Sequence, residues 1–208
     1  MSLRATRSYQ PYLVMAMVVA AMVIALKIEG RLWQCDEGDN LRLWVGNAWT
    51  PHCSQHLADP YSLTHLSHGL IFFSAMWLLI PRTSLAWRLC IAITIAAGWE
   101  VLENSPLIIN RYRTATMSLD YLGDSVVNSL GDVLACGIGF FIARWLGLVR
   151  TALVFLASEI FLVFVIRDSL LLSTFMLIAP IDSIKQWQMQ GSAGVAVSQA
   201  DRQMQKSD

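Results

Sequence analysis

The sequence predicts an all-α, polytopic transmembrane helix bundle of five to six spans with a cytoplasmic N-terminus. Two compositional facts and one pattern predict it. Of the 208 residues, 55% are hydrophobic and only 14% are charged, whereas about a quarter of a soluble domain is charged. The apolar residues fall in blocks of roughly 18–25, the length that crosses a hydrocarbon core of about 30 Å. Formal net charge is zero, so there is no basic footprint for nucleic acid. No zinc-finger, P-loop or G-x-G-x-x-G pattern is present.

Residues 1–10 are polar and carry Arg4 and Arg7, a cytoplasmic N-terminus. Pro11–Ile28 is the first span. It has the look of a signal peptide but lacks a small-x-small cleavage site, and is read as retained. Glu29–Tyr61 is a long polar loop holding Trp33, Trp44, Trp49, His52 and His56. Ser62–Ile80 is the second span, Pro81–Ser84 a tight link, and Leu85–Asn104 the third span. Ser105–Tyr121 is a second polar loop with Arg111 and Arg113. Leu122–Leu146 and Val149–Ile166 are the fourth and fifth spans. Ser169–Ile181 is long enough only for a short span or an interfacial helix, either a sixth helix after a sharp turn or the continuation of a long kinked one, and six spans are preferred. Residues 11–188 thus form one membrane-embedded domain, and the Gly-, Ser- and Gln-rich residues 189–208 are expected to be a disordered cytoplasmic tail. Cys90 and Cys136 lie in apolar blocks as packing residues. Cys35 and Cys53 share the first loop and could pair as a disulfide if that loop is periplasmic.

Lys and Arg set the orientation. With six spans and the N-terminus inside, Arg4, Arg7, Arg82, Arg88, Arg144, Arg150, Lys185, Arg202 and Lys206 fall inside; Lys27, Arg31, Arg42, Arg111, Arg113 and Arg167 fall outside. The short links carry the bias, so loops 29–61 and 105–121 are expected in the periplasm of a bacterial inner-membrane protein.

On this topology the polar groups converge. His65 and His68 sit at the outer end of the second span, Glu100 and Glu103 at that of the third, and Asp124, Asn128 and Asp132 descend the fourth. Both pairs are spaced i,i+3 and the last three residues step by four, so each set shares a helix face. Asp132 would lie about 12 Å below Asp124. A charge at mid-bilayer costs about 2.5–3.5 kcal/mol on insertion scales, so the stripe should face the bundle interior. Glu159, midway along the fifth span, stands alone. Gly123, Gly131, Gly137 and Gly139 suggest close helix packing.

The segments "CSQHLADPYSLTHLSHG", "WEVLENSPLIINRYRTATMSLDYLGDSVVNSLGDVLA" and "IRDSLLLSTFMLIAPIDSIKQWQ" resemble a group of bacterial inner-membrane proteins known as domain-of-unknown-function family 2585, also uncharacterised protein family 0314. The resemblance runs from Gly30 to Gln188. It implies a multi-pass membrane protein and assigns no activity. The family pattern is matched at His56, His65, His68, Glu100, Glu103, Asn104, Arg111, Tyr112, Arg113, Asp120, Tyr121, Asp124, Asn128, Asp132, Arg167 and Asp168. Relatives tend to carry C-x-C-G where this chain reads "QCDEG", and R-D-N-L-x-L-N where it reads "RDSLLLS".

Three functions would use such a set. The first is an intramembrane hydrolase or transferase acting on a membrane lipid or lipid-linked substrate. There Glu100, Glu103, Asp124, Asn128 and Asp132 are the candidate catalytic carboxylates and amide. His65 and His68 would hold a divalent metal such as zinc, and Arg111 and Arg113 a substrate phosphate. The second is a proton- or ion-coupled transporter, since Asp and His chains make proton relays. The third is a structural or assembly protein whose buried charges specify packing. The enzyme reading is preferred. The H-x-x-H pair lacks the i,i+4 spacing of helical zinc proteases.

Overall fold

The computed structural model describes residues 9–35 and 40–191. The expected tail beyond 191 and the first eight residues lie outside the described part. The regular structure among the described residues is all helical, without strands: α1 Gln10–Ile28, α2 Ser62–Leu79, α3 Leu85–Glu103, α4 Pro106–Ala115, α5 Val126–Leu146, α6 Leu148–Ile166, α7 Leu170–Ile178, and α8 over 182–191. Five of them, α1, α2, α3, α5 and α6, are long and apolar enough to cross a membrane.

Local chemistry sets the boundaries. Pro11 stands in the first turn of α1 and Pro106 in that of α4, where a missing N–H costs nothing. Ser84, Ser105, Ser125 and Ser169 are N-caps, their side chains accepting from Trp87, Ile108, Asn128 and Leu172 N–H, the bond that an orphaned first-turn donor needs. Gly147, at φ +73°, ends α5 and opens α6. Arg167 ends α6 in the left-handed region at φ +54°.

α5 is the centre of the bundle. One apolar cluster joins Met22 and Leu26 of α1, Ile93, Ala96 and Ala97 of α3, and Val126, Val133 and Cys136 of α5. A second joins Leu70, Phe73 and Met76 of α2, Ala92 of α3, and Phe140 and Ala143 of α5. Cys90 and Cys136 are buried, as packing residues should be. The outward faces keep Leu79, Trp145 and Phe164 exposed, which suits lipid contact.

The long loop folds over one end of the bundle. Leu32 and Trp33 carbonyls accept from Val126 and Val127 N–H, and the Ser54 carbonyl accepts from Ser125 N–H. α5 therefore begins inside protein without stranded donors, which burial requires. α4, α7 and α8 gather at this same end: Arg111 of α4 donates to the Leu177 and Ile178 carbonyls of α7, and Lys185 of α8 donates to the Thr114 carbonyl.

Three boundaries differ from expectation. The fourth membrane helix begins at Val126, not Leu122, because Gly123 at φ +96° turns the chain and Ser125 caps it. Ser169–Ile181 contains a nine-residue helix, about 13 Å long and short of a bilayer crossing. Residues 182–191 are helical and return to the loop end instead of emerging at the far end. Cys35 and Cys53 are free thiols: Cys35 turns to His52 at 3.4 Å, while the Cys53 thiol bonds Asp59.

Candidate functional site

His65 stands at the hub of the polar cluster. Its Nδ1 lies 3.2 Å from Glu100 Oε1, and its Nε2 lies 3.9 Å from Asp132 Oδ2. Three helices, α2, α3 and α5, thus meet through one imidazole. Glu103 joins them, one turn beyond Glu100 on α3. One donor atom from each of His65, Glu100 and Glu103 lies within 4.8 Å of the others. Neither oxygen of the buried Glu100 carboxylate, nor Glu103 Oε2, has a hydrogen bond of ordinary geometry. The second oxygen of Glu103 accepts from Tyr112 OH at 2.9 Å, and Asp132 Oδ1 accepts from Ser62 OH at 2.7 Å.

Asp124 sits beside this hub on the turn before α5. It accepts from Tyr121 OH at 2.9 Å and from Asn104 Nδ2 at 3.2 Å. Its own N–H donates to Asn104 Oδ1 at 2.7 Å. Burial pushes the Asp124 carboxyl up to about 6, against the pull of those hydrogen bonds. The same desolvation raises Tyr121 and Tyr112 well above the usual phenol range, with the neighbouring carboxylates adding to it. Asn128, one turn into α5, donates to the His56 carbonyl at 2.9 Å and to Asp59 at 3.4 Å. Asn128 therefore fastens the loop to the bundle.

A large cavity of about 1270 Å³ opens beside the cluster. Its polar lining includes Tyr61, His65, His68, Glu103, Asp124, Asp132 and Asp168; Trp49, Ile108, Met117, Leu177 and Ile178 supply apolar lining. Glu100 lies behind it, fully buried. At the α7 side, Asp168 accepts from Ser173 OH at 2.8 Å and Tyr61 OH at 3.3 Å, and burial raises it to about 6.

The sequence-predicted residues therefore divide. His65, Glu100, Glu103 and Asp132 come together, with Asp124 beside them. His68 does not share the carboxylates: its ring stacks on Phe72 at 5.8 Å and meets Trp99 edge-on at 6.5 Å. Arg113 donates to the Tyr121 carbonyl at 2.6 Å, and Arg111 to the end of α7, so both work on backbone. Glu159 is not isolated: its two oxygens accept from Leu170 and Leu171 N–H at 3.2 and 2.9 Å, holding the start of α7. Asp59, Tyr61 and Ser62 carry site contacts that the sequence reading missed. Their signal was the "DPYS" run, an Asx turn in which Asp59 accepts from Tyr61 N–H at 2.7 Å.

Comparison with known proteins places the chain in a family and assigns no activity. Residues 26–190 match the family described as "Protein of unknown function (DUF2585)". A UPF0314 protein of Paracoccus denitrificans is 40% identical over 183 residues, covering 88% of this chain and 94% of that protein. A UPF0314 protein of Rhizobium etli is 46% identical, covering 82% and 87%, and one of Brucella anthropi is 42% identical, covering 85% and 89%. No solved structure matches. A match across most of its length, with relatives this similar, makes the chain a member of the DUF2585, or UPF0314, family.

Proposed function

We propose that this protein is a bacterial inner-membrane enzyme that holds a divalent metal at His65, Glu100 and Glu103 and acts on a lipid or lipid-linked substrate. The observation that carries this reading is the convergence of the buried Glu100 and Glu103 carboxylates, with no cationic Lys or Arg side chain against them among the described residues, on the His65 imidazole beside the cavity. Buried charge needs a partner. The guanidinium groups at this end bond backbone carbonyls: Arg31 those of Leu122 and Glu29, Arg111 those of Leu177 and Ile178, Arg113 that of Tyr121. A zinc or manganese ion would supply the missing positive charge, since imidazole with carboxylate suits such ions.

The residues then take separate roles. Asp132, on the far nitrogen of His65, orients the imidazole. Glu103, which lines the cavity and is fixed by Tyr112, is placed to take a proton from a water or alcohol that attacks an ester carbon or phosphorus. The same carboxyl returns that proton to the leaving oxygen. Asp124 and Asn104 hold the turn beneath the cavity. Arg111 uses two of its nitrogens on α7, and a guanidinium has five donors, so it retains a capacity for a headgroup phosphate. The apolar lining suits an acyl or prenyl chain. Transport is the weaker reading, because below Asp132 the α2–α5 seam is filled by Leu70, Phe73 and Phe140.

Metal content by mass spectrometry tests the proposal, on protein purified in mild detergent without chelators. His65→Ala and Glu100→Gln should each lose about one equivalent that His68→Phe keeps. Equal metal content in all four proteins would sink the assignment of these ligands.

A further inference from the structure

We propose that Cys35, His52 and His56 form a second metal site, for zinc, in the loop that folds over the bundle end. One donor atom from each lies within 4.8 Å of the others, and Cys35 and His56 are buried. Cys35 Sγ stands 3.4 Å from His52 Nδ1. Around a tetrahedral zinc, with Zn–S about 2.3 Å and Zn–N about 2.05 Å, sulfur and nitrogen sit about 3.5 Å apart. The two imidazole rings are 5.8 Å apart between centres, so both can face one point. Thiolate with imidazole is a donor set that selects zinc over magnesium or calcium.

The loop is held firmly enough to present these donors. Cys35 N–H donates to the Gln55 carbonyl at 3.1 Å, and Leu57 N–H to the Arg42 carbonyl at 3.2 Å. The Gln55 side chain donates to the Gly123 carbonyl, and Ser125 OH to the Gln55 carbonyl. These bonds tie the His52–His56 turn to the start of α5. Cys53, next to His52, is engaged with Asp59 instead, and burial raises its thiol well above the usual range. It is therefore outside the donor set.

Loading has a definite chemistry. The Cys35 thiol gives up its proton to solvent as the Zn–S bond forms. His56 Nδ1 accepts the Arg42 N–H at 3.2 Å, and a neutral imidazole offers a metal only its unprotonated nitrogen. Zinc either takes Nδ1 in place of that N–H, or takes Nε2 after the proton has moved to Nδ1. Either way the Arg42 N–H is released, and Arg42 is exposed, so water can receive it. Three protein donors leave a fourth position for water or substrate, and Cys35 lines the large cavity.

Cobalt titration of the whole protein in detergent tests this. Cobalt bound by a thiolate absorbs in the near ultraviolet through sulfur-to-metal charge transfer, a band that the His65 carboxylate site cannot give. The wild type and Cys53→Ser should show the band at about one equivalent, and zinc should bleach it. Cys35→Ser should abolish it, and His52→Ala and His56→Ala should weaken cobalt affinity at least tenfold. Absence of the band in the wild type, or its survival in Cys35→Ser, would overturn the proposal. His65→Ala should leave the band intact, so the two sites fail independently. Size-exclusion profiles and melting curves of each variant identify any that have merely unfolded, and Cys35→Ala serves as a second test in that case.

Discussion

Asp124 shows how one carboxylate reports on its surroundings. Its folded value of about 6 lies above the ordinary 3.8, so between these pH values the folded protein holds a proton that the unfolded chain has released. Stability must therefore fall as pH rises from about 4 to about 6, and change no further through this group above that. The group is only 6% exposed, so the contribution is of order 3 kcal/mol. Asp124→Asn should flatten this part of the stability curve, measured by thermal melting in detergent between pH 4.5 and 7.5. The asparagine can keep its oxygen toward Asn104 Nδ2 and turn its amide to Tyr121, whose hydroxyl also accepts. The variant should therefore fold as well as the wild type at neutral pH. A variant curve as steep as the wild type's would show that another group titrates there. Loss of folding at neutral pH would mean that the charge itself is structural.

The helices carry a different lesson. α2 and α5 approach so closely that a Cβ on Gly69 would overlap the Cys136 carbonyl oxygen, and one on Gly139 the Leu66 carbonyl oxygen. A Cβ on Gly131 would overlap the Leu57 carbonyl oxygen of the loop. Gly69→Ala and Gly139→Ala should each cost about 1–3 kcal/mol or more, read as a lowered melting temperature and yield. Gly98→Ala, where nothing lies within 4 Å, should cost nothing. Equal effects at all three would mean that the seam opens without penalty. The sequence displayed the long helices plainly, because apolar runs of this length have few other solutions. It identified Gly131 and Gly139 as packing glycines but overstated Gly137, whose Cβ would meet only Ile93 Cδ1 at an ordinary 3.7 Å. Spacing placed His65 beside His68, and their rings do meet at 5.4 Å. Phe72 follows His68 by four on α2, a pair that spacing allows, but spacing could not show that His68 meets Trp99, because that depends on how α3 is rotated. Nor could a step of four from Asp124 to Asn128 reveal that Asp124 precedes the helix. That follows from the positive φ of Gly123 and the Ser125 cap, a local break inside an otherwise regular pattern.

At the scale of the whole molecule, the number of crossings decides on which side α8 lies. Among the described residues five helices are long and apolar enough to cross, an odd number, so α7 and α8 lie at the same end as the long loop, opposite the start of α1. Arg167 Nη1 donates to the Trp187 carbonyl at 2.8 Å, which fastens α8 beside the end of α6. With five crossings Lys185 moves to the loop end, so the orientation rests on Arg82, Arg88, Arg144 and Arg150 of the short links; placing those inside predicts that the cavity, both candidate metal sites and α8 face the periplasm. Reporter fusions check this. A phosphatase that folds only outside the cytoplasm should be active when fused after residue 208 and inactive at residue 83, while a cytoplasm-only fluorescent reporter should give the reverse. Fluorescence at both positions would mean that the segment around α7 crosses the membrane after all. Fluorescence at 208 with phosphatase activity at 83 would invert the bundle. Inversion would place Cys35 in a reducing compartment and the cavity against the inner leaflet, so a substrate would then have to arrive from the cytoplasmic face.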